Sequence, residues 1–257
     1  MIHSPLVPAR GAVDALARFL FPPLCYSCGV LLPPRCRAVC PECHRAIERI
    51  HPSDVLFTFA SERLCAGCTV DALVSVFRFA QGRKLERLIH QLKYGNAPGI
   101  GVWLGEQVGG VLASGGECRG IGCILPMPLH PVKLRERGYN QSGMIARGIS
   151  LTVGARVHTG IVRRLRHTAS QTSLGYDARK ANVEGAFAVA PGRGPDIAGR
   201  CVLLVDDVIT TGATMRSCAA VLRSAGASRI VAASAAIADF DRLHDDDPPN
   251  NGPASAP

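Results

Sequence analysis

Two adjacent carboxylates, Asp206 and Asp207, close the apolar run of the segment VLLVDDVITTGAT (202–214), and three threonines and a glycine follow. Carboxylates accept hydrogen bonds from hydroxyls. Threonine hydroxyls and the free N–H groups at a helix N-terminus hold phosphates, and Gly212 lets backbone approach an anion closely. A phosphate placed on the acids themselves would be repelled. The pattern therefore points to a phosphorylated sugar, with its hydroxyls on Asp206 and Asp207. Its phosphate would lie in the loop through Thr210, Thr211, Gly212, Ala213 and Thr214. Neither Gly-Lys-Thr nor GxGxxG occurs in this segment, so it is neither a P-loop nor a dinucleotide fingerprint. The plainer alternative is a strand, a loop and a helix capped by threonine.

A second chemistry sits near the N-terminus. Of eleven cysteines, six fall in three pairs of x2 spacing: Cys25/Cys28, Cys40/Cys43 and Cys65/Cys68. Each pair can clamp a metal through a tight turn, and the first two complete a tetrahedral four-thiolate set suited to zinc. A closed set leaves no open coordination position, so the expected role is structural. Cys65 and Cys68 lack a partner pair. Cys36, His44 or His51 could complete a second site with them, they could join the first, or they could bind nothing. Cys118, Cys123, Cys201 and Cys218 stand singly in apolar surroundings and read as core.

These groups need elements to position them. DALVSVFRFA (71–80) alternates like a strand. LERLIHQLK (85–93) carries apolar residues at the spacing of one helix face. A glycine-rich linker precedes the strand-like GIGCILPMP (120–128), and GMIARGIS (143–150) begins a helix. CVLLV (201–205) has the continuous apolarity of a central parallel strand, with a loop expected from Val208 to Thr214. TMRSCAAVLRSAG (214–226) reads as a helix ended by Gly226, and RIVAASAAIA (229–238) as the next strand. The alternation predicts an α/β fold, an open parallel sheet with helices on both faces and right-handed crossovers, plus a small Cys-rich zinc module. The expected organisation is a Cys-rich module over 20–70, the α/β domain over 71–238, and a disordered acidic, Pro/Gly-rich tail over 239–257.

The formal net charge is +9. Between His130 and Lys180, basic residues exceed acidic ones by eight, which fits a polyanionic ligand, or else a solvated basic face. Aromatic residues make up only 5%, few platforms for stacking bases. No apolar run reaches the length of a membrane span, and the N-terminus shows no export pattern. The expected location is the cytoplasm, where the cysteines would be reduced thiols or metal ligands.

VLLVDDVITTGAT resembles the 5-phosphoribosyl-1-pyrophosphate (PRPP) binding motif of type I phosphoribosyltransferases. LPMPLHPVKLRERGYNQS (125–142), LIHQLKYG (88–95) and RHTASQTSLGYDARKANVEGAF (166–187) are similar to signatures of the ComF/GntX family, and the resemblance spans about residues 20–238. Tyr139 stands where phenylalanine is usual. Longer relatives carry a further cysteine pair that HPSDVLFTF (51–59) lacks, so a second complete zinc site is not implied.

The resemblance implies a type I phosphoribosyltransferase-like domain that binds PRPP with magnesium and hands phosphoribose to an unnamed acceptor. It implies that Asp206 and Asp207 take the ribose hydroxyls and that Thr210–Thr214 take the 5′-phosphate. Arg137 would hold the pyrophosphate, with Lys133 and Arg135 beside it. Arg166, Gln171 and Arg179 would belong to a lid that excludes water. The ComF likeness also implies an alternative, a non-catalytic factor in DNA uptake and natural competence. Its partners would be single-stranded DNA and competence helicase-like proteins. His90, His130 and His167 read as structural, and no side chain stands out as a general base.

Overall fold

The computed structural model describes residues 20, 22–34, 36–115, 120–165 and 185–239. In chain order, α1 (Pro41–Arg45) and α2 (Val55–Cys65) precede β1 (Ala72–Phe79). Helices α3 (Lys84–Tyr94) and α4 (Pro98–Gly115) lead to β2 (Ile121–Pro126), followed by α5 (Pro131–Arg137) and α6 (Gln141–Val153). Strands β3 (Val162–Arg164) and β4 (Phe187–Val189) pair antiparallel as a small separate sheet. The chain returns through β5 (Cys201–Ile209), α7 (Ala213–Ser224) and β6 (Arg229–Ala238).

The main sheet has the order β1-β6-β5-β2, with every neighbouring pair parallel. Strand β5 is central, and Val202 to Val205 are fully buried, which is why its sequence is apolar without alternation. Successive side chains point to opposite faces. Leu203 and Val205 pack with α3, α4, α6 and the Cys-rich segment. Val202 and Leu204 pack with α2, α7 and the β3–β4 pair. Helices therefore cover both faces, as the alternation of strands and helices predicts. The Cys-rich segment continues into the sheet, since Ile50 N–H donates to Val76 and Arg78 N–H to Glu48.

Within the glycine-rich stretch before β2, residues 98–115 form not a linker but the eighteen-residue α4. Gly101, Gly105 and Gly109 recur every four residues and so share one face. That face meets α6 backbone to backbone. A Cβ on Gly105 would lie 2.0 Å from the Ile145 carbonyl oxygen, and one on Gly148 would lie 2.0 Å from that of Val102. The glycines weaken helix propensity but allow a contact that no other residue fits. Among the described residues, no helix is long and apolar enough to cross a membrane.

Candidate functional site

Strand β5 runs further than its sequence suggests. Val208 and Ile209 pair with Ala236 and Ile237 of β6, so the loop before α7 shrinks to Thr210, Thr211 and Gly212. On its other side β5 outruns β2, whose pairing ends at Pro126 opposite Val205. Asp206 and Asp207 thus emerge where β2 has stopped, beside the carboxyl end of a parallel strand, the usual place for ligands in open α/β sheets.

The two carboxylates have different surroundings. Asp207 is 5% exposed, and its Oδ2 is ion-paired with the Lys93 ammonium from the last turn of α3. Asp206 is partly exposed. Its Oδ1 accepts from Ser142 Oγ at 3.0 Å and from the Asp207 N–H at 2.9 Å. Burial and the neighbouring Asp207 charge push the Asp206 carboxyl up to about 7. Burial would raise Asp207 too, but the Lys93 charge and hydrogen bond hold it below the usual carboxylate range. Lys93 in turn is kept above the ordinary lysine value by Asp207, against burial that favours its neutral form.

The fully buried Ser142 is placed by its helix. Asn140 caps α6, accepting from the Ser142 and Gly143 N–H groups, while its amide donates to the Met127 carbonyl at 2.9 Å. Tyr139 ties this segment to α3, its hydroxyl donating to the Leu92 carbonyl at 2.5 Å, a bond the usual phenylalanine cannot make. His130 caps α5, its Nδ1 accepting from the Val132 N–H. Arg137 donates to Gln141 Oε1.

Between α3 and α5 opens a cleft of about 500 Å³ lined by Lys93, Tyr94, Asn96, Lys133, Arg135, Glu136, Arg137 and Gly138. Five of these side chains are charged, and four are cationic, as an anion site requires. The sequence-derived trio Lys133, Arg135 and Arg137 is therefore brought together, with Lys93 added. Arg137 also lies 5.8 Å above the Tyr94 ring.

The threonine loop has its own clamps. Gly212 adopts φ +71°, which favours glycine, and a Cβ there would meet Leu64 of α2 at 2.8 Å. Arg216, in the first turns of α7, donates to the Thr211 carbonyl at 3.1 Å and the Arg63 carbonyl at 2.9 Å. Thr211 Oγ1 accepts from the Ala213 N–H. Ala213 and Thr214 belong to the first turn of α7, and Thr210 is exposed.

The sulfurs of Cys25, Cys28, Cys40 and Cys43 all lie within 4.8 Å of one another. Tetrahedral zinc with sulfur at about 2.3 Å separates its ligands by roughly 3.8 Å, and Cys28 and Cys40 Sγ stand 3.8 Å apart. The set could therefore hold a metal such as zinc. Against burial, backbone donors at Cys40, Cys28 and Ser27 lower the Cys25 thiol to about 7, which favours thiolate. Lys84, at the start of α3, donates to Cys43 Sγ at 3.6 Å.

Cys65 and Cys68 stand outside this cluster. Cys65 packs against the opposite face of the sheet, and Cys68 is exposed. His44 stacks edge-on against Trp103, and His51 bonds Ser53. Cys123 and Cys218 are core residues. Arg166, His167, Gln171 and Arg179 lie outside the described residues, as does the tail beyond Asp239.

Local sequence pattern marks neither Lys93 nor Arg216 for chemistry. Lys93 lies inside the LIHQLKYG stretch, and that resemblance is its one sequence signal. Arg216 lies in a helix with no distinguishing pattern.

Residues 154–255 match the phosphoribosyl transferase domain family. Competence protein F of Haemophilus influenzae is 36% identical over 107 residues, 42% of this chain and 46% of that protein. The chain thus matches about half the length of that relative. DNA utilization protein YhgH of Escherichia coli K12 is 30% identical over 222 residues, 81% of this chain and 94% of that protein. Orotate phosphoribosyltransferase of a Nocardioides species is 48% identical over 52 residues, 20% of this chain and 28% of that protein. With YhgH matched along nearly its whole length and the phosphoribosyl transferase domain matched through β5 and β6, the chain belongs to the ComF family of phosphoribosyltransferase-like proteins.

Proposed function

We propose that this chain binds PRPP as its magnesium complex and transfers the phosphoribosyl group to an acceptor. One observation carries the reading: Lys93 joins the acidic pair to the cation-lined cleft, so hydroxyl acceptors and anion donors are neighbours. A ribose bearing a pyrophosphate needs that juxtaposition. Asp206 and Asp207 would accept from the ribose hydroxyls. The N–H groups and hydroxyls of Thr210, Thr211, Gly212, Ala213 and Thr214 would hold the 5′-phosphate. Lys133, Arg135 and Arg137 would hold the pyrophosphate, with Arg179 from the lid. The bond from C1 to pyrophosphate breaks as the bond to the acceptor forms, and pyrophosphate leaves with the bonding pair. Fixed cations in the cleft stabilise that leaving charge. Magnesium, where bound, neutralises further charge on the pyrophosphate. The carboxylate oxygens suit magnesium chemically, but Asp207 already has Lys93 as its cation, which favours magnesium carried on the ligand.

Zinc in the Cys25, Cys28, Cys40 and Cys43 set would be structural, because four thiolates leave no open position. Free thiols among the described cysteines fit a cytoplasmic protein. Pyrophosphate release from PRPP, with magnesium and a pool of base and amine acceptors, tests the reading. Release by wild type that disappears in Asp206→Ala is the expected result, and equal release by both refutes it.

A second reading is favoured by the names of the relatives, Competence protein F and DNA utilization protein. In it the site holds phosphate without transfer, and the partners are single-stranded DNA and competence helicase-like proteins. Arg163 is exposed for such contact. Arg164 is tucked over Phe187, where burial holds it below the usual arginine range.

A further inference from the structure

Lys93 faces two ways. Its ammonium meets Asp207, whose side chain is 7% exposed, while the lysine side chain is 28% exposed and lines the cleft beside Lys133, Arg135 and Arg137. The carboxylate is sealed, and its counter-ion is the part that solvent reaches. The Arg137 charge opposes the ammonium, which is held by Asp207 in direct contact and by the Asp206 charge beyond it. A buried carboxylate stripped of its contacting ammonium is strongly unfavourable. Asp207 can therefore give its oxygens to a ligand hydroxyl only if Lys93 finds another anion. A diphosphate in the cleft is such an anion, and the four-carbon stem of lysine lets the ammonium turn between the two. The helix itself stays in place, since Tyr139 bonds the Leu92 carbonyl.

We propose that Lys93 is an exchangeable counter-ion. It pairs with Asp207 while the cleft is empty and passes to the diphosphate of a bound ligand, so that a diphosphate in the cleft and a hydroxylated ligand at Asp207 strengthen each other's binding. This rests on the PRPP reading in two respects, that sugar hydroxyls are the ligand of Asp207 and that a diphosphate is the ligand of the cleft. Coupling between two sites is reciprocal.

Calorimetric titration of the full chain with inorganic pyrophosphate and ribose 5-phosphate, in magnesium, separately and together, measures the coupling. In wild type, saturating pyrophosphate tightens ribose 5-phosphate binding on the order of tenfold, and the reverse experiment gives the same factor. In Lys93→Met the two ligands bind independently. Equal coupling in both proteins, or none in wild type, overturns the proposal.

Because Lys93→Met leaves Asp207 unpaired and could unfold, a second readout uses wild type. In protein labelled with ¹⁵N-lysine, the Lys93 ammonium resonance shifts on pyrophosphate addition; a resonance unmoved at saturation overturns the exchange. If PRPP itself fails to bind, the PRPP reading falls. If PRPP binds while its two halves are uncoupled, only the counter-ion exchange falls.

Discussion

Gly105→Ala and Gly110→Ala should move stability in opposite directions, although both lie on α4. At Gly105 the new Cβ would sit 2.0 Å from the Ile145 carbonyl oxygen and 2.8 Å from Gly148 Cα. Both obstacles are backbone, so no rotamer relieves them, and α4 must back away from α6 by more than an ångström. Overpacking of this kind costs about 3 kcal/mol, and the better helix propensity of alanine returns about 1 kcal/mol. The net loss is about 2 kcal/mol, or roughly 4–8 °C in Tm for a chain of this length. At Gly110 nothing lies within 4 Å, so only the propensity gain of up to about 1 kcal/mol remains. Urea unfolding followed by circular dichroism measures both. The displacement also reaches the site, because α6 carries Ser142 on Asp206. A Gly105→Ala protein as stable as Gly110→Ala would refute the backbone crossing.

The remaining stability predictions concern the metal and the acidic pair. Metal analysis of wild type should find one zinc per chain, lost in Cys25→Ser/Cys40→Ser and retained in Cys65→Ser/Cys68→Ser; wild type fully folded without metal contradicts the structural role. The Asp206 carboxyl is raised from 3.8 to about 7, so between those values the native state binds more protons than the unfolded one, and stability falls as pH rises through that window. Asp206→Asn removes the slope. Its stability relative to wild type should be unchanged near pH 4 and grow by up to about 4 kcal/mol by pH 8, read as urea midpoints across that range. A relative stability that stays flat with pH contradicts the raised carboxyl.

The parts of the molecule legible in sequence are those set by local pattern. The face of α3 is marked by Leu85, Leu88, Ile89 and Leu92, all buried, and β6 spans the same residues its apolar run predicts. The first two cysteine pairs converge because x2 spacing itself makes the clamp. What escaped depends on distant partners. Helix α4 reads as a linker because its glycines lower helix propensity, and only the facing Gly148 explains them. Strand β5 continues past its acids because β6 is there to pair with Val208 and Ile209. Ser142 reaches Asp206 from the first turn of α6 behind the Asn140 cap, a pairing across 64 residues that no local spacing marks. The Lys93–Asp207 pair joins residues far apart in the chain, and no local spacing announces it.

The central claim is that Asp206, Asp207 and the threonine loop form a PRPP site. Calorimetry with PRPP and magnesium, on wild type and on Asp206→Ala, tests it most directly. The account predicts saturable binding to wild type with one ligand per chain, lost in Asp206→Ala while the variant remains folded. No binding to wild type, or undiminished binding to the variant, would contradict it.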